Sequence, residues 1–410
     1  MSTDIRDRFH NSLPYELIGT DTRYPEPQDG IALCLSGGGY RAALFHLGAI
    51  WFLNEAGMLP NLDRITSVSG GAITAARLGL VWKDLQFDPK TQVASNFHEL
   101  VAKPILRFTR TTVDLPGSLA MRFSLRYIFN PYRFALDRIL LKGASLQDLP
   151  QEPRFVFNAT NVQSGAVWRF MKPRMRDWRV GDVPEPKTRL SFAVMASSAY
   201  PPFLSPMIMR MDHRRFSPES GSDLGLKQFR KKVYLTDGGV HDNLGIETSW
   251  KKFGTILVSD AGWPADPDPK PRTLMLGHTM RAVALMNSGF IEIRKRQMIE
   301  SFKIMHAADQ DAAHEIDPHQ RVFGRRGAYW GIRNMKAYKA DFIDVDLDHK
   351  TIERASNTGT RLGSIPRKRQ RQLVDLGYLH AAISITKYVT PSLGSIRDLP
   401  FNEIARQSSN

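Results

Sequence analysis

The stretch that decides the fold runs from Leu33 to Gly71, LCLSGGGYRAALFHLGAIWFLNEAGMLPNLDRITSVSGG. A short apolar run, Ile31 to Leu35, ends in Gly37, Gly38 and Gly39. An apolar helical pattern follows from Arg41 to about Ala56, and a second short run, Ile65 to Val68, ends in Ser69-Gly70-Gly71. Strand, glycine turn, helix, strand, serine turn, helix is the order that builds one edge of a parallel sheet. Both turns fall at the carboxyl ends of their strands, where open α/β sheets place their sites.

A serine hydroxyl attacks poorly unless it is exposed, aligned and beside a base. A tight strand-to-helix turn holds such a hydroxyl at its tip. Ser67-Val68-Ser69-Gly70-Gly71 is a G-x-S-x-G variant with serine in place of the first glycine, and the same residues also make ordinary turns. Three glycines at a helix start can aim backbone N–H groups at one spot, as a phosphate cradle or as an oxyanion hole. A nucleotide loop needs Lys-Ser/Thr next, whereas Tyr40-Arg41 follows here, and the Rossmann spacing also fails. An oxyanion hole beside a nucleophilic serine fits better.

These motifs resemble the patatin-like phospholipase family. Gly37, Gly38, Gly39 and Arg41 match its G-G-G-x-R loop, and Ser69 matches its nucleophile. Asp237-Gly238-Gly239, after the strand-like Val233 to Thr236, matches its Asp-Gly-Gly/Ala motif, and Ala196-Ser197-Ser198-Ala199-Tyr200-Pro201 is similar to its A-S-x-A-x-P segment. The pieces stand in family order across about residues 30 to 260. Two positions depart from the pattern: Ser67 replaces the glycine two before the serine, and Ala42 a glycine often found after the loop arginine. The resemblance implies a three-layer α/β/α fold with a mostly parallel central sheet. It implies a lipid acyl hydrolase of phospholipase A or lysophospholipase type, working through an acyl-enzyme without cofactor or metal. Ser69 would be the nucleophile, Asp237 its general base with no histidine, and Gly37, Gly38 and Gly39 the oxyanion hole. Arg41, Gly71, Gly238 and Gly239 would support the site, Arg41 by steadying the loop or by meeting a phosphate.

The rest of the chain divides around this core. Residues 1–29 read as a tail or surface wrap, 30–262 as the catalytic core with a helical insertion or lid at about 87–149, and 263–410 as a C-terminal extension packing on the core. Arg154 to Asn158 and Ala166 to Met171 read as a strand pair, and 172–188 as a loop. Leu190 to Met195 reads as a strand leading into a proline-bounded turn, and Ile256 to Ser259 as a buried strand. Leu274 to about Ala308 has helical character, Tyr329 to Ile332 reads as a final strand, and Arg367 to Tyr388 as a helix with Leu373, Leu376, Leu379 and Ile383 on one face.

Composition bounds the class. Apolar residues make up 42% of the 410, ample for a core, and the single cysteine, Cys34, rules out a disulfide framework within the chain and favours an intracellular setting. Cys34 itself, inside a strand, reads as core. Prolines break the longest uncharged run, Leu190 to Met209, so no transmembrane helix is expected, and charges near the N-terminus leave no signal peptide visible. The formal charge of +15 attracts polyanions. Basic and aromatic residues interleave from Val101 to Leu136, with Asp114 the lone acid. That pattern reads as a membrane-contact surface or lid, or as an insertion whose aromatics are core. The expected location is cytoplasmic, peripheral at the inner face of an anionic membrane, with an acyl lipid as substrate and no nucleic-acid partner.

Several histidines follow Asp237, namely His241, His278, His306, His314, His319, His349 and His380, so order alone leaves a Ser-Asp-His triad open. His46 and Trp51 read as packing residues. The polar run from His306 to His319 invites a metal, yet Pro318 stands where a second helical ligand would be needed, and a solvated loop fits better. A soluble esterase or thioesterase, and a non-catalytic membrane-binding protein, are the alternative functions.

Overall fold

An uninterrupted apolar run suits a strand buried on both faces, and Ile31 to Leu35 forms most of such a strand, β1 (Gln28–Leu35). The computed structural model describes residues 26–112, 131–201, 204–262, 265–271, 273–310, 323–333, 343–393, 396 and 398–406. Among them is one sheet of ten strands. After β1 come β2 (Arg64–Ser67), β3 (Arg154–Asn161), β4 (Val167–Phe170), β5 (Arg174–Asp177), β6 (Gly181–Pro184), β7 (Met207–Arg210), β8 (Lys232–Asp237), β9 (Phe253–Asp260) and β10 (Arg326–Gly331). The order across the sheet is β10-β9-β1-β2-β3-β4-β5-β6. From β10 to β3 every pairing is parallel; from β3 to β6 every pairing is antiparallel. The centre is therefore a parallel α/β sheet with an antiparallel wing.

β8 enters where β2 stops. β2 pairs with β3 up to Ser67 opposite Phe157, and β8 then pairs antiparallel with β3 from Asn161 to Ala159, ending with Asp237 opposite Ala159. β4 already occupies the other edge of β3 at Ala159 and Thr160. β2 and β8 therefore share one edge and meet end to end.

Alternation along the strands sorts the core into two faces. Leu33, Leu35, Ile65, Phe155 and Phe157 face one large cluster. It includes α1 (Gly39–Glu55), α2 (Gly70–Val81), α3 (Leu190–Ser197) and α6 (Arg367–Tyr388). Ala32, Cys34, Ile256 and Val258 face a smaller cluster. It contains Trp250 of α4 (Glu247–Trp250) and Met298 and Phe302 of α5 (Met275–Gln310). The result is three layers. Cys34 is fully buried, and burial pushes its thiol up to about 12, so it is inert core.

Two expectations change. Leu190 to Met195 is helix, part of α3, rather than strand. An apolar run of that length suits either element, and α3 is buried almost all round, so it lacks the amphipathic stripe that would mark a helix. Residues 172–188, read as a loop, hold β5 and β6, whose charged residues alternate with Met175 and Val183 of the core. In the insertion, left open as a membrane-contact surface or as core, Val101, Ile105, Phe108, Tyr132 and Leu136 are core residues, while Phe134 is exposed. Residues 113–130, including Arg122 and Arg126, lie outside the described residues, as do residues 311–322 of the polar run.

The C-terminal part is built into the core. β10 extends the sheet, and α6 is buried from Gln370 to Thr386 on nearly every side. It lies along α1 at backbone contact: a methyl on Gly48 would strike the Val374 carbonyl, and one on Gly377 the Phe45 carbonyl. Gly48→Ala and Gly377→Ala should each destabilise by about 1–3 kcal/mol, the usual cost of overpacking. Gly289→Ala in α5, where a methyl meets nothing within 4 Å, should instead stabilise by up to about 1 kcal/mol through helix propensity. Chemical denaturation of the three variants checks this; equal effects would mean that α1 and α6 are not in backbone contact.

Candidate active site

Ser69 sits between β2 and α2 with φ 49 and ψ −114. A side chain at positive φ is strained, and such strain persists only where its surroundings enforce it. Ser69 holds the N-cap position, yet its side chain does not cap α2. Its hydroxyl instead lies near the Asp237 carboxylate, close enough to favour the ionised form. The residue is 9% exposed, so the hydroxyl stands at the edge of a nearly closed site.

Asp237 closes β8 and is almost wholly buried. Burial pushes its carboxyl up to about 7, against the lowering effect of the Gly239 amide at 2.7 Å from Oδ1 and of the Ser69 hydroxyl. Among the described residues, no cation or imidazole is one of the groups that act on it. The phenol of Tyr200 is raised by its own burial and then by the Asp237 charge, which places it close by.

Two residues to which the sequence reading gave no role in the site tie the turns together. Ser197, the last residue of α3, accepts the Ser69 N–H on Oγ at 2.9 Å, and its carbonyl accepts the Gly238 N–H at 3.2 Å. The next carbonyl that helps, Ala199, accepts the Asp237 N–H at 3.0 Å. Asn243 accepts the Gly37 N–H on its main-chain carbonyl at 3.1 Å. Its Oδ1 stands 2.5 Å from where a Cβ of Gly37 would be and 2.6 Å from that of Gly239, so one amide side chain fills the space both glycines leave. Family similarity marked the segment holding Ser197, whereas Asn243 lies outside the matched motifs.

The glycine loop follows β1. Gly38 and Gly39 have φ of 140 and 62, values that a side chain would resist. The Gly37 amide is engaged by Asn243, while the amides of Gly38, Gly39 and Gly70 donate to no group among the described residues. Arg41 is fully buried. It donates from Nη1 to the Thr358 carbonyl at 2.8 Å and from Nη2 to the Ala261 carbonyl at 2.5 Å. It therefore steadies the loop, and burial lowers its guanidinium to about 10. Gly71 lets α2 approach the Leu35 carbonyl, and Gly238 lies against the Asn158 carbonyl.

The buried histidines are spoken for. His46 bonds Ser259 Oγ at 2.8 Å and the Ser36 carbonyl at 2.9 Å, and His380 bonds the Gly331 carbonyl at 2.8 Å. Burial lowers each to about 4, so both are neutral packing groups.

A hydroxyl on a strained turn, a carboxylate that titrates near neutrality and free amides at two helix starts compose a site suited to acyl transfer. The family model described as Patatin-like phospholipase matches residues 33–250, more than half of the 410. The fold and this match define the class, an α/β lipid hydrolase. The chain belongs to the patatin-like phospholipase family. No curated protein matches it in sequence. Among solved structures, VipD from Legionella pneumophila is similar at 14% identity and TM-score 0.37, over 92% of this chain and 73% of its own. Human GIVD cytosolic phospholipase A2 is similar at 12% identity and TM-score 0.46, over 96% of this chain and 64% of its own. The same human enzyme in complex with methyl gamma-linolenyl fluorophosphonate gives 13% and 0.46.

The raised carboxyl makes a stability prediction. The unfolded aspartate ionises near 3.8 and the folded one near 7, so between those values the native state binds more protons and stability falls as pH rises. Asp237→Asn removes this penalty. Relative to wild type, the variant should gain stability from pH 4 to pH 8, by up to about 4 kcal/mol at about 1.4 kcal/mol per pKa unit. Denaturant titrations of both proteins at the two pH values check it. A constant difference would mean that Asp237 is ionised normally.

Proposed function

We propose that this protein is a serine lipid acyl hydrolase of phospholipase A or lysophospholipase type, using Ser69 and Asp237 as a catalytic dyad. The observation that carries the reading is Ser69, strained at φ 49, with its hydroxyl beside a buried carboxyl raised to about 7 on which no histidine acts among the described residues. Ser69 Oγ attacks the ester carbonyl carbon as its proton passes to Asp237. The oxyanion forms against the free amides of Gly38 and Gly39, at the N-terminus of α1, with Gly70 beside them. Gly37 takes the narrower role of fixing the loop, because its amide is engaged. The tetrahedral intermediate collapses, and the leaving alcohol takes the proton from Asp237. Water then attacks the acyl-enzyme, giving its proton to Asp237, and as this second intermediate collapses Asp237 returns that proton to Ser69 Oγ while the fatty acid leaves.

A lipid surface rather than a soluble ester is favoured by α5. Lys295 of α5 pairs with Asp260 at the carboxyl end of β9, at 2.8 Å. The part of α5 before Glu292 therefore projects past the sheet edge that carries Ser69, for about 25 Å at about 1.5 Å per residue. Among its described residues none is buried until Met298. Met286 is 75% exposed and Phe290 47%, with Met275 and Val283 also exposed. No acid stands between Pro269 and Ile291, and Arg281 adds positive charge. An exposed apolar stripe with basic residues suits peripheral insertion into an anionic bilayer. Among the described residues, no helix is long and apolar enough to cross a membrane.

Ser69→Ala and Asp237→Asn should each lower hydrolysis by about four orders of magnitude or more, and the double variant little further, because the pair acts as one unit. A fluorophosphonate probe should label Ser69 in wild type alone. Met286→Asp with Phe290→Asp should weaken binding to phosphatidylglycerol vesicles while leaving a short soluble ester turned over normally. Full activity in Ser69→Ala, or vesicle binding unchanged in the α5 variant, would remove the corresponding half of the proposal.

A further inference from the structure

The face of the sheet opposite the large core carries arginines where strands lie side by side. Arg64 of β2 and Arg154 of β3 are direct partners in register. Two strands on, Arg169 of β4 is the partner of Arg176 of β5. Asn158, also on β3 and four residues beyond Arg154, is the partner of Arg169. Side chains on partner positions share a face, as do residues two and four apart on a strand. Arg64, Arg154, Asn158, Arg169 and Arg176 therefore point to one side, with Arg174 beside them.

Like charges on directly opposite strand positions repel. The repulsion is visible here: after burial, the guanidinium of Arg64 is lowered by Arg154 and Arg169, that of Arg169 by Arg176, and the amine of Lys252 by Arg64 and Arg154. Compensation is sparse. Asp182 pairs with Arg174 at 3.0 Å and Arg176 at 3.2 Å, and Glu247 is taken by Arg294. Among the described residues, the side chains of Arg154 and Arg169 make no hydrogen bond or ion pair, although the Nε of Arg154 is buried. Asn158 is 2% exposed, and neither end of its amide has a partner. A shallow cavity of about 220 Å³ opens here, lined by Arg154, Arg174, Asp182 and Ser217 between Pro173 and Pro184.

Arg64 is satisfied by the Thr248 carbonyl and the Phe253 ring, and Glu247, Asp177 and Asp182 partly offset the charge of Arg169, but the guanidinium of Arg154 and the amide of Asn158 stay without a partner among the described residues, which costs free energy. Guanidinium forks match phosphate oxygens two at a time. We infer that this arginine face binds a ligand carrying two or more phosphate groups, with Arg154 and Arg169 as its principal contacts. Strands stand about 4.8 Å apart, so the guanidinium groups are spread over a width that one phosphate does not span. The site is separate from the proposed hydrolysis. Arg64 and Arg154 begin the strands whose far ends meet Ser69 and Asp237, so the inference stands whether or not that reading holds.

The test is calorimetric titration of the full chain with inorganic pyrophosphate and with inositol hexakisphosphate. A second arm is co-sedimentation with phosphatidylcholine vesicles, with and without phosphatidylinositol bisphosphate. Saturable binding that weakens as salt rises is expected for wild type. Arg154→Gln with Arg169→Gln should weaken it at least tenfold, whereas Arg296→Gln on the exposed side of α5 should not. Arg169→Lys, which keeps the charge but loses the fork, should weaken binding with an unchanged thermal midpoint, and so guards against misfolding of the double variant. Binding of the free phosphates places the natural ligand in solution; binding of headgroup-bearing vesicles alone places it on a lipid. No saturable binding of any probe, or equal binding by the double variant, overturns the inference.

Discussion

The structure depends on two strands sharing one edge of a third. β2 runs up β3 and turns off at Ser69; β8 runs down the same edge and stops at Asp237. Neither turn alone would bring a hydroxyl to a carboxylate. The register on β3 does, because Ser67 and Asp237 stand opposite residues two apart. The meeting is held from above by Ser197, which bonds both turns, and from the side by Asn243, which fills the space beside Gly37 and Gly239. A strained serine and a buried carboxyl both disfavour folding, and these bonds, with the packed helices behind them, hold them in place.

Much of this was legible in the chain because each piece ends a strand. Ser69 and Asp237, some 170 residues apart in sequence, follow short β-branched runs and precede glycines, and that local chemistry survives in one dimension. The helix Arg367–Tyr388 was legible for a similar reason, since proline precedes it and its apolar spacing is helical. What failed were stretches where the pattern is degenerate. α3 is apolar on every side, so no stripe separates helix from strand. β5 and β6 carry arginine and aspartate on their outward face, and charge density made them read as loop. Ser197 and Asn243 act through the backbone of other residues, a role that depends on where distant turns land and leaves little trace in sequence.

The division of labour among surfaces was not legible either. Charge summed over the chain pointed to anionic partners and assigned them to the interleaved run from Val101 to Leu136. In the described part of that run Phe108 and Tyr132 pack inward, while Phe134 is exposed. The exposed apolar stripe belongs to α5, beside the site, and the unpaired arginines belong to the back of the sheet. Ser69 follows the carboxyl end of the parallel strand β2, where open α/β sheets generally place their sites, whereas Asp237 ends β8, which runs antiparallel to β3. The C-terminal part reaches the same place through Arg41, which fastens the glycine loop to Thr358 and to Ala261 at once.

The central claim is that a carboxylate, and no imidazole, draws the proton from Ser69. The pH dependence of kcat/KM for a soluble short-chain ester tests it directly, because that quantity reports ionisations of the free enzyme. A carboxyl held at about 7 predicts a single rise that levels off above neutrality, unchanged in His241→Ala. A profile whose ionisation disappears in a histidine variant that still folds would contradict the account.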